Sequence, residues 1–285
     1  MRRGPILMVF ATLMFTIMVA TVKVARQELT AFEVIAWRSV VALPITFALA
    51  LAKGPGIGIE NRRGMALRGV LGFAAMTCFF TAAKGLALAD LSIIVKLQPI
   101  VIALFAPLVL GRAERSGPLI WVVLIFGLVG CGLLIGPELA VGGTYGLWAL
   151  GAALFSALAH MAIRALGKTD HPLAIVFWFQ MFTLVLAVPA YVLTEGRLLS
   201  LPPAHLVPYL VGTGLAATAG QVLMTNAYRL EKASIVAAAS YAAPLWAALL
   251  DLVIFDAAPS GAALVGGAMV VGAGLLLVLR SPAAE

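Results

Sequence analysis

Long apolar stretches alternate with short polar connections along the whole of this 285-residue chain. A helix that crosses a bilayer needs about 20 apolar residues at a rise of about 1.5 Å per residue. The stretches that meet this requirement lie near residues 5–22, 32–52, 69–88, 91–110, 117–136, 144–163, 173–194, 206–228, 234–255 and 260–279. The pattern therefore predicts an all-α integral membrane protein with ten transmembrane helices.

The composition supports a membrane protein. Apolar residues make up 63% of the chain and charged residues 11%, whereas soluble domains carry about 45–50% and about 25%. The first apolar stretch resembles a signal peptide, but Lys23 and Arg26 follow it directly and no clear cleavage site is present. We interpret it as the first membrane span.

The basic residues predict how the spans are oriented. If the N-terminus is cytoplasmic, 13 Lys and Arg residues lie at cytoplasmic span ends and 4 at the opposite ends. Positive charge is retained on the cytoplasmic side, so we expect a bacterial inner-membrane protein with both termini in the cytoplasm. The net charge of +7 is too dispersed for a nucleic-acid partner. Cys78 and Cys131 lie inside apolar runs and are expected to pack there, so we predict no disulfide, metal site or cofactor.

The two halves of the chain repeat each other loosely. Glu33–Trp37 is echoed by Ala174–Trp178, and Pro99 by Pro244, at offsets of about 141–145 residues. We therefore predict two repeats, 1–140 and 141–285. Five spans is an odd number, so the second repeat enters the membrane inverted, and a substrate site is expected between the repeats near the membrane centre.

This organisation resembles the EamA-type family of the drug/metabolite transporter superfamily. The motifs that carry the resemblance are Gln98-Pro99, the turn Gly111–Arg115 and Gly127, Gly130 and Gly132 in the first half, and Pro244, Asp256 and Gly266, Gly267, Gly272 and Gly274 in the second. Arg112 and Phe255 depart from the family's turn pattern. Within the superfamily the chain is most similar to the YddG-type amino-acid exporters, which implies a secondary transporter and not an enzyme.

Several polar groups inside the fourth and ninth spans are candidates for substrate binding, because polar groups are costly within a bilayer. Lys96 either extends its ammonium to the outer interface or faces a cavity and binds a carboxylate. Gln98 offers amide donors and acceptors. Pro99 and Pro244 each free a carbonyl, which either bends the helix or binds substrate. Tyr241 precedes Pro244 much as Lys96 precedes Pro99, so the two are expected to face each other.

The remaining candidates are weaker, and each has a structural alternative. They are Phe79 and Thr81 in the third span, Gln221 and Asn226 in the eighth, and Trp246 in the ninth. Phe79 equally suits lipid or core contact, and Asn226 equally suits a helix cap. His160 either couples transport to a proton or is solvated near the cytoplasmic end. Glu33, Arg38 and Asp251 are expected at the interface, and the small residues Gly132, Gly136, Ala268 and Gly272 are expected in helix packing.

The predicted function is export or facilitated transport of a small polar metabolite by alternating access. Amino acids, including aromatic ones, fit a cavity with one cation, Lys96. A drug or nucleotide-type metabolite exporter of the same superfamily is the alternative substrate class, and a lipid-directed membrane enzyme is the alternative function. The expected partners are the solute and membrane lipid, with the protein a monomer or a homodimer.

Overall fold

The computed structural model of the chain describes residues 3–52, 54, 56–86, 88–136, 143–255 and 260–280. The first half forms α1 (Arg3–Ala25), α2 (Ala31–Ala52), α3 (Arg62–Ala82), α4 (Leu88–Val95), α5 (Gln98–Val109) and α6 (Pro118–Ile135). The second half forms α7 (Gly143–Leu166), α8 (Pro172–Glu195), α9 (Val207–Leu230), α10 (Ala233–Ala239), α11 (Ala243–Phe255) and α12 (Gly261–Arg280). The all-α membrane fold is thereby confirmed.

These helices account for ten spans. In the described part of the chain, nine helical segments are long and apolar enough to cross a membrane, and Gly261–Leu277 is a shorter apolar helix. The fourth span is made of α4 and α5 together, and the ninth of α10 and α11. We call the face on which α1 begins the N-face, and the opposite face the far face. Since consecutive spans alternate in direction, α3 and α8 also begin at the N-face.

The packing of the helices follows a two-fold relation between the repeats. The most extensive contacts join α1 to α9, α3 to α7, α6 to α12 and α2 to α8. If each span is replaced by its counterpart in the other repeat, α1 becomes α7 and α9 becomes α3, so the α1–α9 pair becomes the α7–α3 pair. The same exchange leaves the α6–α12 and α2–α8 pairs unchanged. An inverted repeat has this property, and the axis passes between α2 and α8, where Ser39 Oγ lies 3.4 Å from Gln180 Oε1.

Local signals in the sequence set the ends of the spans. Asn61 caps α3, its side chain accepting from the Gly64 N–H at 2.8 Å. Thr30 and Glu33 form a capping box at the start of α2, in which Glu33 Oε2 accepts from the Thr30 N–H at 2.7 Å. Proline lies in the first turn of α5, α6, α8 and α9, where its missing N–H costs no helical hydrogen bond.

The glycines of the fifth and tenth spans pack differently from the prediction. A methyl group added at Gly130 or Gly266 would meet the other residue's carbonyl oxygen at 2.8 or 2.5 Å, so these two residues bring α6 and α12 together. Gly136 instead ends α6 with a positive φ of 60°, a conformation that glycine adopts without strain. Gly272 has open space around it within this chain, so neither Gly136 nor Gly272 makes a close helix contact inside the protomer, and their packing between protomers stays a prediction.

Candidate functional site

The two interrupted spans cross at their breaks and are joined there by reciprocal hydrogen bonds. Pro244 has no N–H to bond the carbonyl of Ser240, four residues earlier. Lys96 Nζ donates to that carbonyl oxygen over 3.4 Å, and Tyr241 Oη donates to the carbonyl of Lys96 over 3.2 Å. Lys96 therefore faces the second repeat from inside the protein, instead of extending to the interface.

The pairing places Lys96 and Tyr241 at equivalent positions of the two repeats. They are 145 residues apart, which is within the range of offsets at which the halves repeat. Pro99 is the second residue of α5 and Pro244 the second residue of α11, so each proline starts the helix segment after a break. The carbonyl that Pro244 frees is hydrogen-bonded by a side chain of the other repeat, at a point where a 3-10 turn, Ser240–Ala242, interrupts the span.

Glycine makes room for this crossing. A methyl group at Gly127 of α6 would collide with the ring of Tyr241, which is 2% exposed. Cys131, one turn further along α6, donates its thiol to the Tyr241 carbonyl over 3.6 Å. The position of Tyr241 thus depends on two small residues of the first repeat.

On the N-face side of the crossing, a second group of polar side chains lies together. The side-chain amide of Gln98 is hydrogen-bonded to His160 Nδ1. The imidazole of His160 stacks on Tyr228, with the ring centroids 5.3 Å apart. Tyr228 is fully buried, and its hydroxyl has no partner within the described residues. His160 is therefore held by two neighbours and is not a solvated residue of the helix end.

Two arginines lie within the bundle where none was expected. Arg68 is 3% exposed and lies nearly two turns into α3, with its guanidinium carbon 3.8 Å from the ring centroid of Phe179. Arg38 of α2 is 9% exposed, so the interfacial position predicted for it is wrong. Glu33 is also buried, at 3% exposure, as part of the α2 capping box. The side chain of Asp251 and the predicted turn residue Asp256 lie outside the described residues.

Other predicted site residues bond to nearby backbone. Thr81 Oγ1 donates to the Thr77 carbonyl at 2.8 Å, and Asn226 Nδ2 to the Val222 carbonyl at 2.8 Å. Trp246 Nε1 donates to the Val9 carbonyl of α1 at 3.1 Å. Phe79 packs in an apolar cluster with residues of α4 and α7, and Gln221 is half-buried on α9. The structure thus brings Lys96, Gln98, Pro99, His160, Tyr241 and Pro244 into one region and places Phe79 and Trp246 in other contacts.

A buried ion pair ties the repeats together at the N-face. Arg164 Nε donates to Glu114 Oε1 at 2.8 Å, and Glu114 Oε2 accepts from the Ala233 N–H at 2.8 Å. Arg164 also donates to the carbonyls of Tyr228 and Arg229, at 3.0 and 2.9 Å. Glu114 belongs to the turn between α5 and α6. The network therefore joins the first repeat to the end of α7, the end of α9 and the start of α10. We call it the N-face latch. At the far face, the ion pair Glu28–His205 is exposed.

The architecture and this central crossing define a class of protein: a membrane transporter built from two inverted five-span repeats. The sequence profile of the EamA-like transporter family matches residues 2–136 and again residues 144–280. The chain belongs to this family, within the drug/metabolite transporter superfamily, as the resemblance in the sequence implied.

Characterised relatives and a solved structure agree with this assignment. The pseudopaline exporter CntI of Pseudomonas aeruginosa is 30% identical over 244 residues, covering 85% of this chain and 84% of the exporter. Solute carrier family 35 member G1 of Homo sapiens is 29% identical over 230 residues, covering 74% of this chain and 61% of that protein. A crystal structure with 23% sequence identity superposes with a TM-score of 0.82 over 98% of this chain and 99% of its own, which shows the shared fold.

Proposed function

We propose that this protein is a secondary transporter that moves a small polar metabolite across the bacterial inner membrane by alternating access, and that its two repeats, 1–140 and 141–285, are the units that rock. The observation that carries the proposal is the reciprocal pairing of Lys96 with Ser240 and Tyr241. Both partners lie at breaks in spans that the pseudo-two-fold axis relates. Broken spans at a repeat interface are where transporters of inverted-repeat design bind their solutes.

The proposed orientation places the N-face in the cytoplasm. The excess of Lys and Arg at the span ends supports this orientation. The N-face latch would then close the cytoplasmic entrance in the conformation described here. The similarity to a Pseudomonas exporter supports movement of solute out of the cell.

The substrate predicted from the sequence is an amino acid, aromatic ones included. In that scheme the Lys96 ammonium meets the substrate carboxylate, and Gln98 supplies amide hydrogen bonds. Lys96 gives up only a single 3.4 Å hydrogen bond to do so. The hydrogen bond between Gln98 and His160 gives His160 a direct route to sense the solute. In this scheme His160 also couples transport to a proton. Transport assays with and without a proton gradient test this coupling.

Replacement of Lys96 by Met tests the role of the crossing. Met preserves most of the side-chain volume and removes the ammonium, so we expect folding to be retained and transport to fall at least about ten-fold, the effect of one lost charge-assisted hydrogen bond of about 1.5 kcal/mol. Uptake of labelled amino acids and organic anions into proteoliposomes measures the effect. Lys84→Met, which changes an exposed lysine, is the matched control. Wild-type activity in Lys96→Met would show that the crossing is structural only.

A further inference from the structure

The guanidinium groups of Arg38 and Arg68 lack the partners that buried charges normally have. Buried charges are usually paired with opposite charges, but no described carboxylate pairs with either arginine. Within the described residues, Arg38 donates only to the thioether sulfurs of Met18 and Met76, at 3.9 and 3.8 Å, and thioethers are weak acceptors. The face of the Phe179 ring lies against Arg68. Both Nε atoms are buried without a hydrogen-bond partner in the described part of the chain.

The two guanidinium groups lie along one stripe of α3. Arg68, Gly72 and Met76 are four residues apart and therefore share a face of the helix. The Arg68 side chain runs beside Gly72, where a methyl group would collide with Arg68 Nη1. The Arg38 guanidinium contacts Met76, one turn further along. The two positive groups therefore contact neighbouring turns of one helix face, and each charge acts on the other.

A third buried side chain, that of Gln180, is linked to this pair through neighbouring residues, because Ser39 follows Arg38 and Phe179 precedes Gln180. Gln180 of α8 follows Phe179, the residue on which Arg68 rests, and is fully buried. Its Oε1 lies 3.4 Å from Ser39 Oγ, whose single proton has a closer acceptor in the Ile35 carbonyl at 2.9 Å, and its Nε2 has no partner among the described residues. A guanidinium group can only donate hydrogen bonds, so the species that would satisfy the two arginines must supply acceptors and negative charge. Carboxylates and phosphates do both, and arginine binds each of them in a two-pronged geometry.

We propose that Arg38 and Arg68 form an anion-binding site in the transport pathway, and that the transported solute is a metabolite with two oxyanion groups, carboxylate or phosphate. This proposal rests on the proposed transport function and specifies its substrate class. It replaces the inference from a single cavity cation, Lys96, that favoured zwitterionic amino acids. The bound oxyanions displace the thioether contacts of Arg38 and accept hydrogen bonds from the free Nε–H groups of Arg38 and Arg68.

Thermal unfolding of the purified protein tests the site. The probes are citrate, fructose 1,6-bisphosphate and phenylalanine, each at an ionic strength matched with chloride. A ligand that binds only the folded state raises the unfolding temperature, so citrate or fructose 1,6-bisphosphate is expected to raise it and phenylalanine is not. The larger of the two anion effects distinguishes carboxylate from phosphate recognition.

The variants Arg38→Gln and Arg68→Gln separate ligand binding from a structural role. An uncompensated buried charge destabilises the folded state, so both variants without ligand are expected to unfold at the wild-type temperature or above. In both variants the anions are expected to leave the unfolding temperature unchanged. The rate of anion counterflow in proteoliposomes is expected to fall at least about ten-fold. Arg112→Gln, a change at an exposed arginine, should keep the anion-induced shift and the wild-type rate of counterflow.

The outcomes that overturn the proposal differ from those that overturn transport itself. If phenylalanine is transported and the anions neither shift unfolding nor move, the anion site is wrong and the transport function stands. The anion site is also wrong if only anionic lipid stabilises the protein, or if both glutamine variants lower the unfolding temperature and leave anion counterflow intact. If no probe moves and none stabilises the protein, the transport proposal fails and the anion site fails with it.

Discussion

Glu114→Gln is expected to open the N-face of the transporter. Glu114 is 4% exposed and uses one carboxylate oxygen for Arg164 and the other for the N–H of Ala233. Glutamine is nearly isosteric, but it lacks the charge, and its amide nitrogen cannot accept from a second donor. Hydrogen bonds with charged groups contribute about 1.5–3 kcal/mol, and this pairing exists only while the two repeats meet at the N-face. A loss of about 2 kcal/mol from that conformation alone changes the ratio of closed to open states about thirty-fold.

Cysteine labelling from the N-face measures this shift. Ser234 is fully buried beside Ala233 at the start of α10, so Ser234→Cys in a background with Cys78 and Cys131 replaced by Ala reports on opening. The Glu114→Gln protein should react with a membrane-impermeant maleimide at least about ten-fold faster than its parent. Glu60→Gln, a change of the same chemistry at an exposed position, should not. Equal labelling rates in all three proteins would mean that the latch does not hold the N-face closed.

Gly127→Val is expected to abolish transport by displacing Tyr241. The ring of Tyr241 occupies the space that any side chain at Gly127 would need, and Tyr241 itself is 2% exposed. Overpacking of this kind costs about 1–3 kcal/mol. It also moves the Tyr241 hydroxyl away from the Lys96 carbonyl, which breaks the crossing of the two repeats. We therefore expect lower thermal stability together with a loss of transport of more than about ten-fold.

A double variant shows whether the collision is the cause. Tyr241→Ala removes the ring, so Gly127→Val should destabilise the Tyr241→Ala protein much less than it destabilises the wild type. Transport should stay low in the double variant because the hydrogen bond to Lys96 is still missing. Gly132→Val is the control in the same helix, since its nearest neighbour is the tip of Ile93 at 3.9 Å. Additive effects of the two substitutions would contradict the proposed collision.

The sequence predicts the membrane fold well because the bilayer imposes a simple rule on span length and polarity. Nine of the ten predicted spans agree with the helices to within a few residues. The third is displaced, since the hydropathy pattern predicts it near 69–88 and α3 is Arg62–Ala82. The prediction begins the span after Arg62, Arg63 and Arg68 because charged residues are costly within a bilayer. Asn61, a residue type that commonly caps helices, is the local signal that the helix begins before them.

The same displacement explains why the sequence does not reveal the buried arginines. With α3 predicted to begin at residue 69, Arg68 counts as a cytoplasmic end residue and not as an interior charge. Arg38 is assigned to the interface from its distance to the end of α2, although burial depends on which helix face points inward. The sequence predicts correctly that Lys96 and Tyr241 face each other, because they occupy equivalent positions before Pro99 and Pro244 in the two repeats. The hydrogen bonds of Thr81, Asn226 and Trp246 depend on side-chain direction and neighbouring helices, which the sequence does not specify.

Distances between spin labels on the two faces test alternating access most directly. Labels at Arg112 and Lys168 report on the N-face, and labels at Lys84 and His205 on the far face; all four residues are exposed, and each pair joins the two repeats. If the repeats rock about the Lys96–Tyr241 crossing, the Glu114→Gln protein will show a longer N-face distance and a shorter far-face distance than the wild type. Distances that change in the same direction on both faces, or on neither face, would contradict the account.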